Sequence, residues 1–282
     1  VEPEIPELRR PWLVASFEGW NDAADAASGV VDHLIDEWDA KPLVEMDPED
    51  FYDFQVSRPH MVRDEDGKRV IQWQTSAIYY ATPPGADRDV LLVRGLEPNY
   101  RWRLFASTLT GLASLAGATD VVLLGALLAD SPHTRPVPVQ GQGSDPLASD
   151  RLSLSESTYT GPVGINAVVA DAAQEQGMNV VSLWAAVPHY LAEPPCPKAT
   201  LALLHRLEDV MQQPLPQGVL PEMAEAWQRG ADELLENDPD VAEYVQALES
   251  ERDESELPEA SGDAIAREFE RYLRRRGTNG TD

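Results

Sequence analysis

A single cysteine, Cys196, stands in 282 residues, which excludes an internal disulfide framework and a multi-cysteine zinc site. Set between Pro195 and Pro197 with no base beside it, it reads as an inert thiol. Lysine is nearly absent: Lys41, Lys68 and Lys198 are the only three. All Lys and Arg together number 22 against 49 Asp and Glu, for a net charge of −27. Phosphate affinity comes from clustered bases, so nucleic acid is not an expected partner, and the run Arg274-Arg275-Arg276 is too short to change that. No apolar run approaches the ~18 residues of a membrane span, and Val1-Glu2-Pro3-Glu4-Ile5 lacks the regions of a signal peptide. A soluble, cytoplasmic chain is expected, with no membrane partner. The five histidines show no His-x-x-x-His spacing, so no metal is expected. Gly141-Gln142-Gly143-Ser144-Asp145 is not in nucleophile-elbow order, and no cofactor motif is found.

What is present is a 43% hydrophobic chain in which short apolar runs alternate with helical periodicity over the first 220 residues. Trp12 to Phe17, Lys41 to Met46, Val90 to Val93, Val121 to Ala126 and Val180 to Ala185 read as strands. Helices are expected from Asn21–Asp22 to about Trp38, Tyr100 to Leu115, Val163 to Gln176 and Pro197 to Met211. Asp64-Glu65-Asp66-Gly67 between Met61-Val62-Arg63 and Val70-Ile71-Gln72-Trp73 reads as a hairpin turn, because Asp-Gly suits positive φ. Near-continuous apolar strands interleaved with helices predict an α/β fold, a mostly parallel sheet with helices on both faces.

The texture changes near Pro221. Residues 221–282 carry 18 acids and 7 bases, net −11, leaving −16 for the preceding 220. Helical stretches are expected over Glu222–Glu236, Asp240–Glu251 and Asp263–Arg276. Met223, Ala226, Trp227, Ala231, Leu234 and Leu235 would form the packing stripe of the first. The division is therefore 1–220 as an α/β domain and 221–282 as an acidic all-α appendage, the alternative being a solvated charged tail.

In open α/β sheets ligands sit beyond the carboxyl ends of the strands. Polar clusters follow four of these strands: Glu18, Asn21 and Asp22; Glu97 and Arg101; His133 and Arg135; and His189. Together with Tyr159 they form a candidate crevice in which the imidazoles could move protons with Glu18 or Glu97. The competing reading is that they cap helices and satisfy loop backbone. Gly161 and Gly164, at the entry to the helix near Val163, are a candidate anion-binding loop, with Arg101, Arg103 or Arg135 supplying charge; a tight turn that merely needs glycine explains the same residues. Trp20, Trp102 and Trp184 beside these clusters would suit a subunit interface or a pocket wall.

Five blocks in order then carry a resemblance: Phe17-Glu18-Gly19-Trp20-Asn21-Asp22-Ala23, Leu124-Gly125-Ala126-Leu127-Leu128, Pro132-His133-Thr134-Arg135-Pro136, Tyr159-Thr160-Gly161-Pro162-Val163-Gly164-Ile165 and Leu183-Trp184-Ala185-Ala186-Val187-Pro188-His189-Tyr190. From about Pro11 to Met211 the chain resembles the bacterial, actinobacterial branch of the proteasome assembly chaperone 2 family. The resemblance implies a phosphorylase/hydrolase-like α/β fold followed by a C-terminal helical region. It further implies a non-catalytic assembly or interaction protein, a homo-oligomer (a trimer included), with a proteasome-related or other protein partner. The alternative it leaves open is a nucleoside- or phosphate-type binding protein or enzyme on a nucleoside-phosphorylase-like scaffold. Ring-docking chaperones and activators commonly end in a hydrophobic-Tyr-x tail; here the sequence closes Thr278-Asn279-Gly280-Thr281-Asp282, and Arg271-Tyr272-Leu273 is internal, so docking through such a tail is not expected.

Overall fold

The computed structural model describes residues 5–64, 66–144, 152, 154 and 159–256. The helix expected over 263–276, the arginine run within it and Arg271-Tyr272-Leu273 lie outside these residues.

Four strands build a parallel centre: β1 (Trp12–Ser16), β6 (Val90–Arg94), β7 (Asp120–Ala129) and β9 (Asn179–Pro188). Strand β1 pairs in parallel with β6 on one side and β7 on the other, and β7 with β9. Antiparallel strands flank them: β5 (Ala77–Ala81) beside β6, β2 (Lys41–Glu45) outside β5, and β8 (Val139–Gly143) beside β9. The order is β2-β5-β6-β1-β7-β9-β8, with a separate hairpin of β3 (His60–Arg63) and β4 (Arg69–Gln72).

Because successive side chains on a strand point to opposite faces, β1 feeds both layers. Val14 joins one apolar cluster with Val30, Val31 and Leu34 of α1 (Ala26–Glu37) and Leu203 and Leu207 of α5 (Pro197–Met211). Leu13 and Ala15 join the other with Phe105 and Leu109 of α3 (Trp102–Leu115) and Ile165 and Val169 of α4 (Ile165–Glu175). A one-turn α2 (Pro48–Phe51) completes that side through Phe51, whose ring meets Phe105 edge-on with centroids 5.3 Å apart. The protein thus has the α/β fold expected, a mostly parallel sheet covered on both faces.

Two expectations are refined. Strands β7 and β9 each run ten residues, past the end of β1, and β8, which is not among the expected strands, adds an edge to β9. Two glycines disguise β8, and one of them is required: a Cβ on Gly141 would lie 2.3 Å from the Leu154 side chain.

Two long helices follow, α6 (Leu220–Asn237) and α7 (Pro239–Glu256). Helix α6 lies against α5 with Leu220, Ala224 and Ala231 buried and Trp227 against the core. Those four recur at i, i+4, i+7 and i+11, one stripe of a 3.6-residue helix. Met223 and Ala226, expected inward, fall one step off it and are exposed. Among the described residues no helix is long and apolar enough to cross a membrane.

Candidate functional site

The strand-end residues gather at the carboxyl edge of the sheet in two groups held by different elements. In the first, the chain leaving β1 runs parallel beside the chain leaving β6: Glu18 bridges to Leu96, and the N–H of Glu97 donates to the carbonyl of Glu18 at 3.0 Å. Glu97 Oε1 accepts from Asn21 Nδ2 and from the N–H of Ile165, both at 2.8 Å. That carboxylate therefore sits at the start of α4, where the dipole and free N–H groups favour a negative charge. Gly164 precedes that turn because nothing larger fits: a Cβ there would lie 2.1 Å from Asn21 Oδ1. Ser16 Oγ, Asn21 Oδ1 and Asn166 Oδ1 are buried without a hydrogen-bond partner.

Asp22 closes the neighbouring turn. Its carboxylate accepts from the N–H groups of Ala27 at 2.6 Å and Ser28 at 3.2 Å, fastening the start of α1. Burial pushes its pKa up to about 6, against those hydrogen bonds, which pull the other way. The turn is strained, since Ala24 and Asp25 are consecutive non-glycine residues at φ +52°, each costing about 1–2 kcal/mol. Glu18 is half-buried and its pKa is raised by burial, opposed by the Arg94 guanidinium 3.6 Å away. Arg101 sits at φ +55° before α3 and pairs with Asp50 of α2.

The second group lies between β7, β9 and the C-terminal helices. His133 is 1% exposed; its N–H and Nδ1 both meet the Tyr190 hydroxyl, at 2.9 and 2.7 Å, and its Nε2 faces Asp232 of α6 at 3.3 Å. Burial lowers its pKa, with Asp232 acting in the opposite sense. Lys198 reaches the carbonyl of His133 and Gln228 Oε1. Arg135 pairs with Glu249 at 3.2 Å and Asp253 at 2.7 Å, and Thr134 hydrogen-bonds Glu249. His189 and Tyr244 both meet Asp130, at 3.2 and 3.0 Å. His133 and Arg135 thus fasten α6 and α7 to the body, and the His189 ring packs edge-on against that of Tyr244 on α7.

The Tyr159 hydroxyl donates to the Pro162 carbonyl at 2.9 Å, and a Cβ on Gly161 would lie 2.5 Å from that hydroxyl. Of the tryptophans, Trp20 is 66% exposed. Trp184 lies across Gly125, where a Cβ would come within 2.6 Å of its ring. The acids Asp232, Glu249 and Asp253 were missed by sequence reasoning, which saw only helix surface there. Among the described residues no group of three or more His, Cys, Asp or Glu is placed to hold a metal ion.

Over residues 16–235 the chain matches the PAC2 family model. It belongs to the PAC2 family. A PAC2 family protein from Streptomyces avermitilis is 51% identical, with a TM-score of 0.78 over 83% of this chain and 99% of that one. A proteasome-assembly chaperone homologue from Mycobacterium tuberculosis is 48% identical, with a TM-score of 0.76 over the same shares. Fold similarity reaches an archaeal proteasome activator, PbaB of Pyrococcus furiosus, at 16% identity and a TM-score of 0.66 over 83% and 97%. No curated protein sequence matches the chain. The neighbours from Streptomyces and Mycobacterium place it in the actinobacterial branch.

Proposed function

We propose that this PAC2 protein is a non-catalytic assembly factor that acts on proteasome-related subunits in the cytoplasm as a homo-oligomer, a trimer being the simplest ring, without cofactor, nucleic acid or membrane. The observation that carries the reading is the use of the strand-end side chains. Glu97 and Asp22 are spent on helix starts, His133 and Arg135 on the C-terminal helices, and His189 on Asp130 and the Tyr244 ring. A side chain committed to its own fold is poorly placed to turn over a substrate. The 48% identity to a proteasome-assembly chaperone homologue supports the same direction. Purified protein mixed with proteasome subunits from the encoding organism should change the rate or yield of ring formation, or co-elute with a subunit. Neither effect across a range of ratios would refute it. Light scattering reports the homo-oligomer.

The alternative, a nucleoside- or phosphate-type ligand in the first group, is favoured by the unpartnered Ser16 Oγ and Asn21 Oδ1. Against a phosphate at the Gly161–Gly164 loop, the Ile165 N–H it would take already serves Glu97. A thermal-shift screen of nucleosides, nucleotides and phosphate separates the readings, since a ligand at 100 times its Kd stabilises by about 2.7 kcal/mol.

A further inference from the structure

Helices α6 and α7 are held by different means. Helix α6 seats Leu220, Ala224, Trp227 and Ala231 on the body. Helix α7 buries only Val245 and Leu248 among its described side chains, and neither belongs to the two apolar clusters of the body. Its main neighbour among the elements is α6, and the rest of its hold on the protein is polar. Arg135 grips two carboxylates at once: Asp253 through Nε at 2.9 Å and Nη2 at 2.7 Å, and Glu249 through Nη1 at 3.2 Å. Thr134 Oγ1 also donates to Glu249. Nearer the start of α7, Tyr244 donates to Asp130 at 3.0 Å, and its ring meets those of His189 and Tyr190 edge-on with centroids 5.4 and 5.9 Å apart.

Such a hold is weak and replaceable. Residues 239–256 carry seven acids and one base, net −6, inside a chain of net −27. Glu249 and Asp253 stand at i and i+4, where like charges repel on a free helix, and the guanidinium that meets both relieves that repulsion. Exposed ion pairs contribute little to stability and are screened by salt. Asp238, in extended backbone between the two helices, gives α7 a hinge that leaves the apolar stripe of α6 in place. Beneath α7 lies a surface shaped for recognition: a guanidinium that binds one carboxylate through two parallel bonds, which fixes geometry as well as charge, a hydroxyl donor beside it, and the rings of His189 and Tyr190.

We propose that α7 is an intramolecular stand-in for a partner: the surface it covers, formed by Asp130, Thr134, Arg135, His189 and Tyr190, is a docking site for an acidic helix of another protein, and α7 swings out before that helix binds. The occupant follows from charge and shape. Arg135 takes two carboxylates from α7, and a replacement must bring the same two, four residues apart on one helix face. The sequence that α7 itself presents, Tyr244-Val245 followed by Leu248-Glu249 and Asp253, defines the pattern as Tyr-apolar-x-x-apolar-Glu-x-x-x-Asp. The proposal rests on the interaction-protein reading above and names both its surface and its latch.

Fluorescence anisotropy with a fluorescein-labelled peptide of residues 239–256 tests this on the full chain. In the wild type α7 occupies the site, and the apparent affinity for the peptide is reduced to the fraction of molecules in which α7 is out. Glu249→Lys/Asp253→Lys reverses the charge that Arg135 holds without touching the body. This opened variant should bind the peptide at least tenfold more tightly than the wild type. Adding Arg135→Glu to it should abolish binding, as should glutamine in place of Glu249 and Asp253 in the peptide. Raising salt from 0.1 to 1 M, which shortens the screening length from about 10 to about 3 Å, should weaken it. Hydrogen exchange on the unaltered chain needs no substitution: amides of residues 239–256 should exchange faster than those of α6 and β7, and faster again at 1 M salt. An opened variant that binds no better than wild type, a glutamine peptide that binds equally well, or an α7 as protected as β7 overturns the latch, while the ring-formation assay still decides the assembly-factor reading by itself. Co-elution of the opened variant with wild-type chain as a mixed dimer would make the α7 of a second copy the occupant and overturn the partner named here.

Discussion

Replacing Asp22 by asparagine tests whether the first strand-end group is structural. The folded carboxyl has a pKa of about 6 against an ordinary 3.8, with burial as the main cause. At 1.36 kcal/mol per pH unit that difference amounts to roughly 3 kcal/mol. The sign follows from proton binding. The folded chain holds this proton more tightly than the unfolded chain, so the contribution of Asp22 to stability falls as pH rises from about 4 to about 6 and is level above. Asparagine keeps one acceptor for the N–H groups of Ala27 and Ser28 but has no proton to lose. Whatever constant offset the substitution brings, the stability of Asp22→Asn relative to wild type should therefore improve by about 2 kcal/mol between pH 4 and pH 7, most of the full difference. At about 2 °C per kcal/mol for a chain of this size, the Tm difference should move by roughly 4 °C. Paired thermal melts at pH 4, 5, 6 and 7 measure it. A Tm difference that does not change with pH would mean that Asp22 titrates as a solvated carboxyl, and the burial argument would fail.

Gly164→Ala should destabilise by about 1–3 kcal/mol, since its Cβ must displace the buried Asn21 amide and with it the Glu97 tie; a chemical-denaturation midpoint equal to wild type would contradict the crowding. Arg135→Ala removes both ion pairs to α7. Exposed pairs contribute about 0.2–1 kcal/mol each, so global stability should fall only slightly, while hydrogen exchange across 239–256 should accelerate and that of β1 and β7 should not. Gly125→Ala would drive the Trp184 ring from its place, and a shift in tryptophan emission with a Tm lowered by several degrees would report it. His133→Ala should leave the Tyr190 hydroxyl only its main-chain N–H partner and loosen α6 at Asp232, read as faster exchange over 224–232.

The parallel centre was legible because strands buried on both faces read as unbroken apolar runs, as Val121 to Ala126 does. The antiparallel flanks were legible only in part: Lys41 to Met46 reads as a strand and is β2, whereas Val139-Gln140-Gly141-Gln142-Gly143 carries the composition of a loop and becomes a strand because β9 offers it an edge. The positions of Glu18, Glu97, His133 and His189 after strands were equally readable, since position along the chain determines which end of the sheet a residue occupies. Their partners were hidden. Arg135 meets Asp253 across 118 residues, and helical periodicity says which face of α7 is polar without saying what it touches. In the apolar stripe of α6, Trp227 and Ala231 were read correctly, while Met223 and Ala226 were placed one step off because Met223 and Ala224 differ little in pattern and much in direction.

The clasp between the β7–β8 loop and α7 also sets an order of events. Thr134 and Arg135 wait for Glu249 and Asp253, 115 and 118 residues further along the chain. At a synthesis rate of about 5–20 residues per second, roughly 6–24 seconds separate the emergence of the loop from that of its partners. During that interval the parallel sheet can form while Arg135 and the rim of β7 stay uncovered. The last described helix is thus what completes a surface begun near the middle of the chain, and a ribosome-bound intermediate halted before Pro239 would present it open.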